Sequence, residues 1–282
     1  MRKVMCCLLL MELLLGMAIT ASAAQSGEIP WPLAVRIMSY GKFQEAAWAH
    51  LKEIGVHYLF LAVPAPADVD ATIAKLNEYG LTAVVMRGNA DLAKESCVEE
   101  LAGQLAICEK MGVKFMFLSA KLNGADKGVV LERLRKAGDI AKQHGVTITL
   151  ETHPELGTNG DIQLETMKAL NHPNVRVNFD TANITYYNKN TDAVTELKKS
   201  IDYVGTVEFK DHSGEFETWN FPVLGKGKTN FLAIVKILKD HHYAGPVTIE
   251  FEGVKGVELN EADTKKSISD SVAYVRALGM FK

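Results

Sequence analysis

Gln143-His144-Gly145-Val146-Thr147-Ile148-Thr149-Leu150-Glu151 decides the fold. A helical run ends at His144, a glycine follows, and a β-branched stretch begins at once. Glycine there supplies the left-handed residue that closes a helix. A short, continuous, β-branched run is the signature of a strand buried on both faces of a parallel sheet. The same step from helix through glycine to strand recurs at Gly55, Gly80 and Gly112. Outward from it, apolar runs and helical periodicity alternate along the chain. Strands are predicted at 33–38, 57–63, 82–86, 114–119, 147–151, 176–180, 205–210 and 247–252. Amphipathic helices are predicted at 42–54, 67–79, 93–111, 129–144, 164–170, 191–200, 230–241 and 262–278. Eight strand–helix units without a glycine-rich phosphate loop after the first strand favour a closed (β/α)8 barrel over an open doubly wound sheet.

Residues 1–23 read as a secretory signal peptide, followed by a single α/β barrel domain at 24–282. Arg2 and Lys3 form a positive start, Cys6 to Leu15 is apolar apart from Glu12, and Ala21-Ser22-Ala23 offers a small-residue cleavage site. The apolar run is shorter than the roughly 20 residues a spanning helix needs. The expectation is therefore an exported protein, periplasmic or secreted, with no membrane span after cleavage. Removing residues 1–23 from the 282 leaves 259, close to the roughly 250 typical of one such barrel. Cys97 and Cys108 remain, eleven positions apart on one helix and too distant to pair there, so they are expected as buried thiols. The chain carries 31 basic and 34 acidic residues, a net charge of −3. That balance lacks the basic surface that neutralises nucleic-acid phosphates, and points to a small soluble substrate.

Carboxylates stand where the last four barrel strands end. The runs Thr147–Glu151, Val175–Asp180, Val204-Gly205-Thr206-Val207-Glu208 and Pro246-Val247-Thr248-Ile249-Glu250 place Glu151, Asp180, Glu208 and Glu250 at the C-terminal mouth, where barrels of this kind build their sites. Four carboxylates converging on one space repel, so some must hold protons or share a cation. A hard divalent ion with oxygen ligands resolves the repulsion. Spacing adds further candidates. His153 and Lys210 each lie two residues beyond a carboxylate, and Arg36 sits near the end of the first strand. His212 lies past the seventh strand, and Trp219 in the long loop before the eighth.

Several of these runs resemble the xylose isomerase-like TIM barrel superfamily of sugar isomerases and epimerases: Leu150-Glu151-Thr152-His153, Phe179-Asp180-Thr181-Ala182-Asn183, Glu208-Phe209-Lys210-Asp211, Leu224-Gly225-Lys226-Gly227-Lys228-Thr229-Asn230-Phe231 and Gly245-Pro246-Val247-Thr248-Ile249-Glu250. The likeness covers nearly the whole chain beyond the leader. It implies a divalent ion held by Glu151, Asp180, Glu208 and Glu250, with Glu151 and Glu250 as the proton-transfer pair beside a sugar carbonyl, acting through an enediolate. Their places at or near the mouth make His153, Asn183, Lys210, His212, Arg36 and Trp219 the candidate substrate contacts. Glu208 departs from the family, which usually has histidine there, and the all-oxygen set favours manganese or magnesium over zinc. Asn183 stands where many epimerases carry histidine; its amide can bind a hydroxyl but cannot move a proton.

The expected activity is isomerisation or epimerisation of a free sugar or keto-sugar. Two alternatives stay open. The same carboxylates would serve a lyase or dehydratase that eliminates from a 3-keto-glycoside or inosose. A non-catalytic secreted sugar-binding barrel would fit the departures at Glu208 and Asn183. A small-molecule carbohydrate is the expected partner, and self-association is left open.

Overall fold

In the computed structural model, which describes residues 31–281, the strands close on themselves. The expected signal peptide lies outside the described residues. The barrel strands are β1 (Leu33–Arg36), β2 (Tyr58–Ala62), β3 (Thr82–Arg87), β4 (Phe115–Leu118), β5 (Thr147–Glu151), β6 (Val175–Asp180), β7 (Val204–Phe209) and β9 (Val247–Ile249). Each pairs in parallel with its neighbour, and β1 on β9 closes the ring through Leu33 opposite Val247 and Val35 opposite Ile249. The long helices α1 (Gln44–Glu53), α2 (Val69–Tyr79), α3 (Cys97–Lys110), α4 (Lys127–Gln143), α5 (Gly160–Leu170), α7 (Ala193–Ser200), α8 (Phe231–Asp240) and α9 (Glu261–Ala277) flank it. The single (β/α)8 barrel expected from the sequence is the fold. No helix among the described residues is long and apolar enough to cross a membrane.

Local chemistry explains the boundaries. Asp126, Asn159, Asp192, Asn230 and Asn260 cap five helices, each accepting the amide three residues on; such a cap stabilises by about 1 kcal/mol. Gly80 closes α2 at φ 67°, where a β-carbon would crowd the following carbonyl. Four strands are shorter than the sequence suggested, the second and fourth by one residue at each end. The first ends at Arg36 and turns into a 3-10 run, Ile37–Phe43. The last ends at Ile249 because the Phe251 amide leaves the sheet for the Ser39 hydroxyl at 2.9 Å.

Two elements were not anticipated. The five-residue α6 (Asn183–Tyr187) starts because Asp180 Oδ1 accepts from the amides of Ala182 (2.8 Å) and Asn183 (2.9 Å). A two-residue antiparallel ribbon joins β8 (Asn220–Phe221) to β10 (Gly253–Val254), tying the loop after β7 to the segment after β9. Cys97 and Cys108 are buried free thiols on α3, as expected.

Strand alternation sorts the core into two spaces. On β7, Val207 and Phe209 face the helices, with Phe209 5.0 Å from the Phe231 ring of α8. Thr206 and Glu208 point into the barrel, as the period of two requires. The space between strands and helices holds one continuous apolar core, and the barrel interior holds the site.

Candidate active site

Register builds the site before any side chain is considered. Asp180 is the direct partner of Glu208, and Glu151 is the partner of Asn178 one step below. Beneath the carboxylates lies a polar layer. Thr206 donates to Asn178 Oδ1 (2.7 Å) and shares a hydrogen bond with the Thr149 hydroxyl (3.0 Å), and Asn178 Nδ2 donates upward to Glu208 Oε2 (3.3 Å). That layer orients Glu208 from below.

Above it, one oxygen from each of Glu151, Asp180 and Glu208 lies within 4.8 Å of the others. Asp180 and Glu208 are fully buried, and Asp180 Oδ2 has no hydrogen-bond partner. A buried carboxylate oxygen without a donor is costly, and a shared cation would satisfy it. The three residues therefore fit a hard divalent ion.

Glu250 lies beside this triad but is held differently. Arg36 forms ion pairs with both Glu250 and Glu208, the latter at 3.1 Å. Lys210 Nζ lies 3.0 Å from Glu250 and 3.8 Å from Asp180, and also pairs with Glu252. Five carboxylates thus face two buried cations, and proton affinities diverge accordingly. Burial, reinforced by the charge of Glu250, pushes Glu151 up. Burial also raises Asp180 to about 7 against the pull of Lys210, and lifts Glu208 well above the carboxylate range. For Glu250 burial works in the same direction, but Lys210 and Arg36 outweigh it and hold the group low.

The remaining expected residues divide. Arg36 and Lys210 are central. Asn183 is at the site but engaged, its Nδ2 donating to the Thr152 carbonyl at 3.0 Å and its Oδ1 accepting from Lys210 at 3.3 Å. His153 meets the Tyr187 hydroxyl at 3.0 Å, while its Nδ1 is buried without a partner; burial lowers its pKa to about 4.

His212 is turned away from the carboxylates. Its Nδ1 meets the Thr185 hydroxyl at 2.8 Å and its Nε2 the Thr218 carbonyl at 2.8 Å, which leaves no ring nitrogen for an ion or sugar. Trp219 is a half-exposed rim residue. It packs edge-on against Phe221 and lines a separate cavity of about 330 Å³ with Tyr40 and Glu252.

Asp211 anchors a loop. Its carboxylate accepts from the amides of His212, Gly225, Gly227 and Thr229 at 2.8–3.1 Å. A β-carbon on Gly227 would come within 2.3 Å of that carboxylate.

Two participants escaped the sequence reading. Glu252 follows Glu250 at spacing two, a signal the alternation rule could have supplied. Tyr187 sits on the unanticipated α6, and nothing in its local sequence marks it.

Comparison with known proteins agrees with this fold. The sequence model of the family described as xylose isomerase-like TIM barrel matches residues 48–278. The inosose dehydratase of Serratia proteamaculans is 23% identical over 196 residues, covering 58% of this chain and 66% of that protein, so the chain spans about two thirds of the relative's length. Among solved structures, D-psicose 3-epimerase with D-tagatose from Clostridium cellulolyticum superposes with a TM-score of 0.70 at 15% identity, over 88% of this chain and 99% of that one. A xylose isomerase-like TIM barrel protein from Mycobacterium smegmatis in complex with magnesium gives 0.73 at 15% identity, over 88% and 96%.

Proposed function

The chain belongs to the xylose isomerase-like TIM barrel family, and on that premise we propose that it is an exported, divalent-metal-dependent isomerase or epimerase of a free keto-sugar. One observation carries the reading. Three carboxylates converge within 4.8 Å at the barrel mouth, with a fourth, Glu250, held beside them by Arg36 and Lys210.

Glu151, Asp180 and Glu208 would hold the ion, which their all-oxygen chemistry matches to manganese or magnesium. When bound, such an ion polarises a carbonyl and an adjacent hydroxyl oxygen. The protein's own groups do the rest. Glu250, kept ionised by its two cations, removes a proton from the carbon next to the carbonyl. Glu151, the other carboxylate of the pair, returns one. Ser119 stands next to Glu151 at the end of the neighbouring strand. The buried floor of Thr149, Asn178 and Thr206 closes the site from below.

A dehydratase working on an inosose or a 3-keto-glycoside uses the same proton abstraction and then loses a β-substituent. The likeness to the Serratia proteamaculans inosose dehydratase favours keeping it as the second reading.

Incubating the manganese-loaded protein with D-tagatose and D-fructose in deuterium oxide tests both. Deuterium should enter at a carbon next to the carbonyl, and Glu250→Gln should slow exchange by about 100-fold or more. A product of equal mass identifies isomerisation; with inosose as substrate, a product lighter by one water identifies elimination. No exchange and no product with any of these compounds would reject the proposal.

A further inference from the structure

A cavity of about 430 Å³ opens beside the carboxylates, between the ends of β3 and β4, lined among others by Arg87, Asn89, Asp91, Lys94, Ser119 and Lys121. Its acidic groups are already engaged. Asp91 accepts from the Ala93 amide (3.2 Å) and Asn123 Nδ2 (2.9 Å) and lies 3.8 Å from Lys94. Glu100, the other acid on the wall, takes the Ser96 hydroxyl at 2.7 Å. Arg87 and Lys121 are different: both are exposed, and neither side chain has an ion-pair or hydrogen-bond partner among the described residues.

The frame that carries these two cations is fixed. Asn89 exchanges two 2.8 Å hydrogen bonds with Gln104. The Leu122 amide donates to Glu155 at 2.6 Å, which pins the Lys121 loop to the loop after β5. At Gly88 a β-carbon would meet Met116 Sδ at 2.9 Å, so the strand end runs close against its neighbour.

The cavity adjoins the reaction site: Ser119, which lines it, follows the end of β4 next to Glu151 at the end of β5, since Leu118 pairs with Leu150. Inside the barrel Arg36 and Lys210 are already paired with carboxylates, so an anionic group on a substrate finds no free cation there. In the cavity it would meet two cations without ion-pair partners among the described residues.

We propose that this cavity is the subsite for the carboxylate of an acidic sugar, with Arg87 and Lys121 as its binding residues. The substrate is then a keto-uronate whose carbonyl end lies at Glu151 and Glu250. The assignment of that carbonyl end rests on the function proposed above; the anion subsite stands on its own geometry.

Calorimetric titration of the manganese-loaded protein with D-fructuronate, D-fructose and D-fructose 6-phosphate tests it, with turnover of each followed in the same samples. These ligands differ chiefly in the terminal group. Wild type should bind the uronate about tenfold more tightly than the neutral ketose, the effect of one or two charge-assisted hydrogen bonds. In Arg87→Gln/Lys121→Gln that ratio should fall to about one.

Equal affinities in wild type, or a ratio that survives in the double variant, overturn the subsite. Tighter binding of the phosphate ester than of the uronate overturns its assignment to a carboxylate. Turnover of D-fructose with a ratio of one rejects the subsite and leaves the proposed function intact. A cation-dependent ratio without turnover of any ligand upholds the subsite and rejects the function. Failure of all three to bind rejects both.

Discussion

The two halves of the barrel interior are built from opposite materials. On the side of β2, β3 and β4 the lumen is filled by Phe60, Val85 and Phe117, all fully buried, with the two phenyl rings 5.3 Å apart. On the side of β5, β6, β7 and β9 it is filled by Thr149, Asn178, Thr206 and Thr248, topped by the carboxylates. Arg36 joins the halves: its guanidinium lies 5.0 Å from the Phe60 ring and 5.1 Å from the Phe117 ring while pairing with Glu208 and Glu250. The apolar half is thus not idle packing. It supplies the low-dielectric wall that raises proton affinities across the lumen and strengthens every charge pair facing it.

Breaking the bridge should have the largest effect. Arg36→Ala takes the cation from Glu208 and one of two from Glu250, and empties the space over both rings, so stability should fall by about 3–5 kcal/mol in urea unfolding. A loss below about 1 kcal/mol, on the same scale for buried pairs, would mean that the halves are not coupled through Arg36.

What the sequence allowed to be read follows the same division. The barrel, its eight helices and the strand starts were legible because strand period and glycine caps are local signals. Glu151, Asp180, Glu208 and Glu250 were legible because each terminates an apolar run. The pairing of Arg36 with strands seven and nine was not, since residues 172 and 214 positions apart meet only through closure of the ring. His212 misled for a related reason: its spacing from Glu208 suggested the mouth, but the Asp211 amide cluster turns the chain there and commits the ring to Thr185 and Thr218.

The apolar half can be opened alone. Phe117→Ala removes a buried ring and should cost about 3–5 kcal/mol at the upper limit, less if Met38 and Phe115 close the gap. The variant should also lower the proton affinity of Glu208, because water then reaches the lumen; carboxyl resonances followed by NMR titration would show the shift.

The polar half can be sharpened by Thr206→Val. That change keeps the volume but removes both hydrogen bonds under Glu208, and should destabilise by about 1–3 kcal/mol, since it leaves Asn178 Oδ1 without its donor. An unchanged thermal midpoint would show the layer to be incidental.

The smallest effect is expected outside the lumen. Cys108, 3.9 Å from Met86 Sδ and fully buried, has its thiol pushed up to about 12 by burial, and Cys97 is raised for the same reason. Neither should react with iodoacetamide in the native protein at pH 8, while both react in denaturant. Labelling of the native protein would reveal opening of the helical layer around α3.

The most direct measurement is the metal content of the purified protein by mass spectrometry, in wild type and in Glu151→Ala, Asp180→Ala and Glu208→Ala. Wild type should hold one near-stoichiometric divalent ion, retained after dialysis against manganese or magnesium and lost in all three variants. Wild-type protein that holds no ion after such dialysis, or variants that keep it, would contradict the assignment of these carboxylates as a metal site.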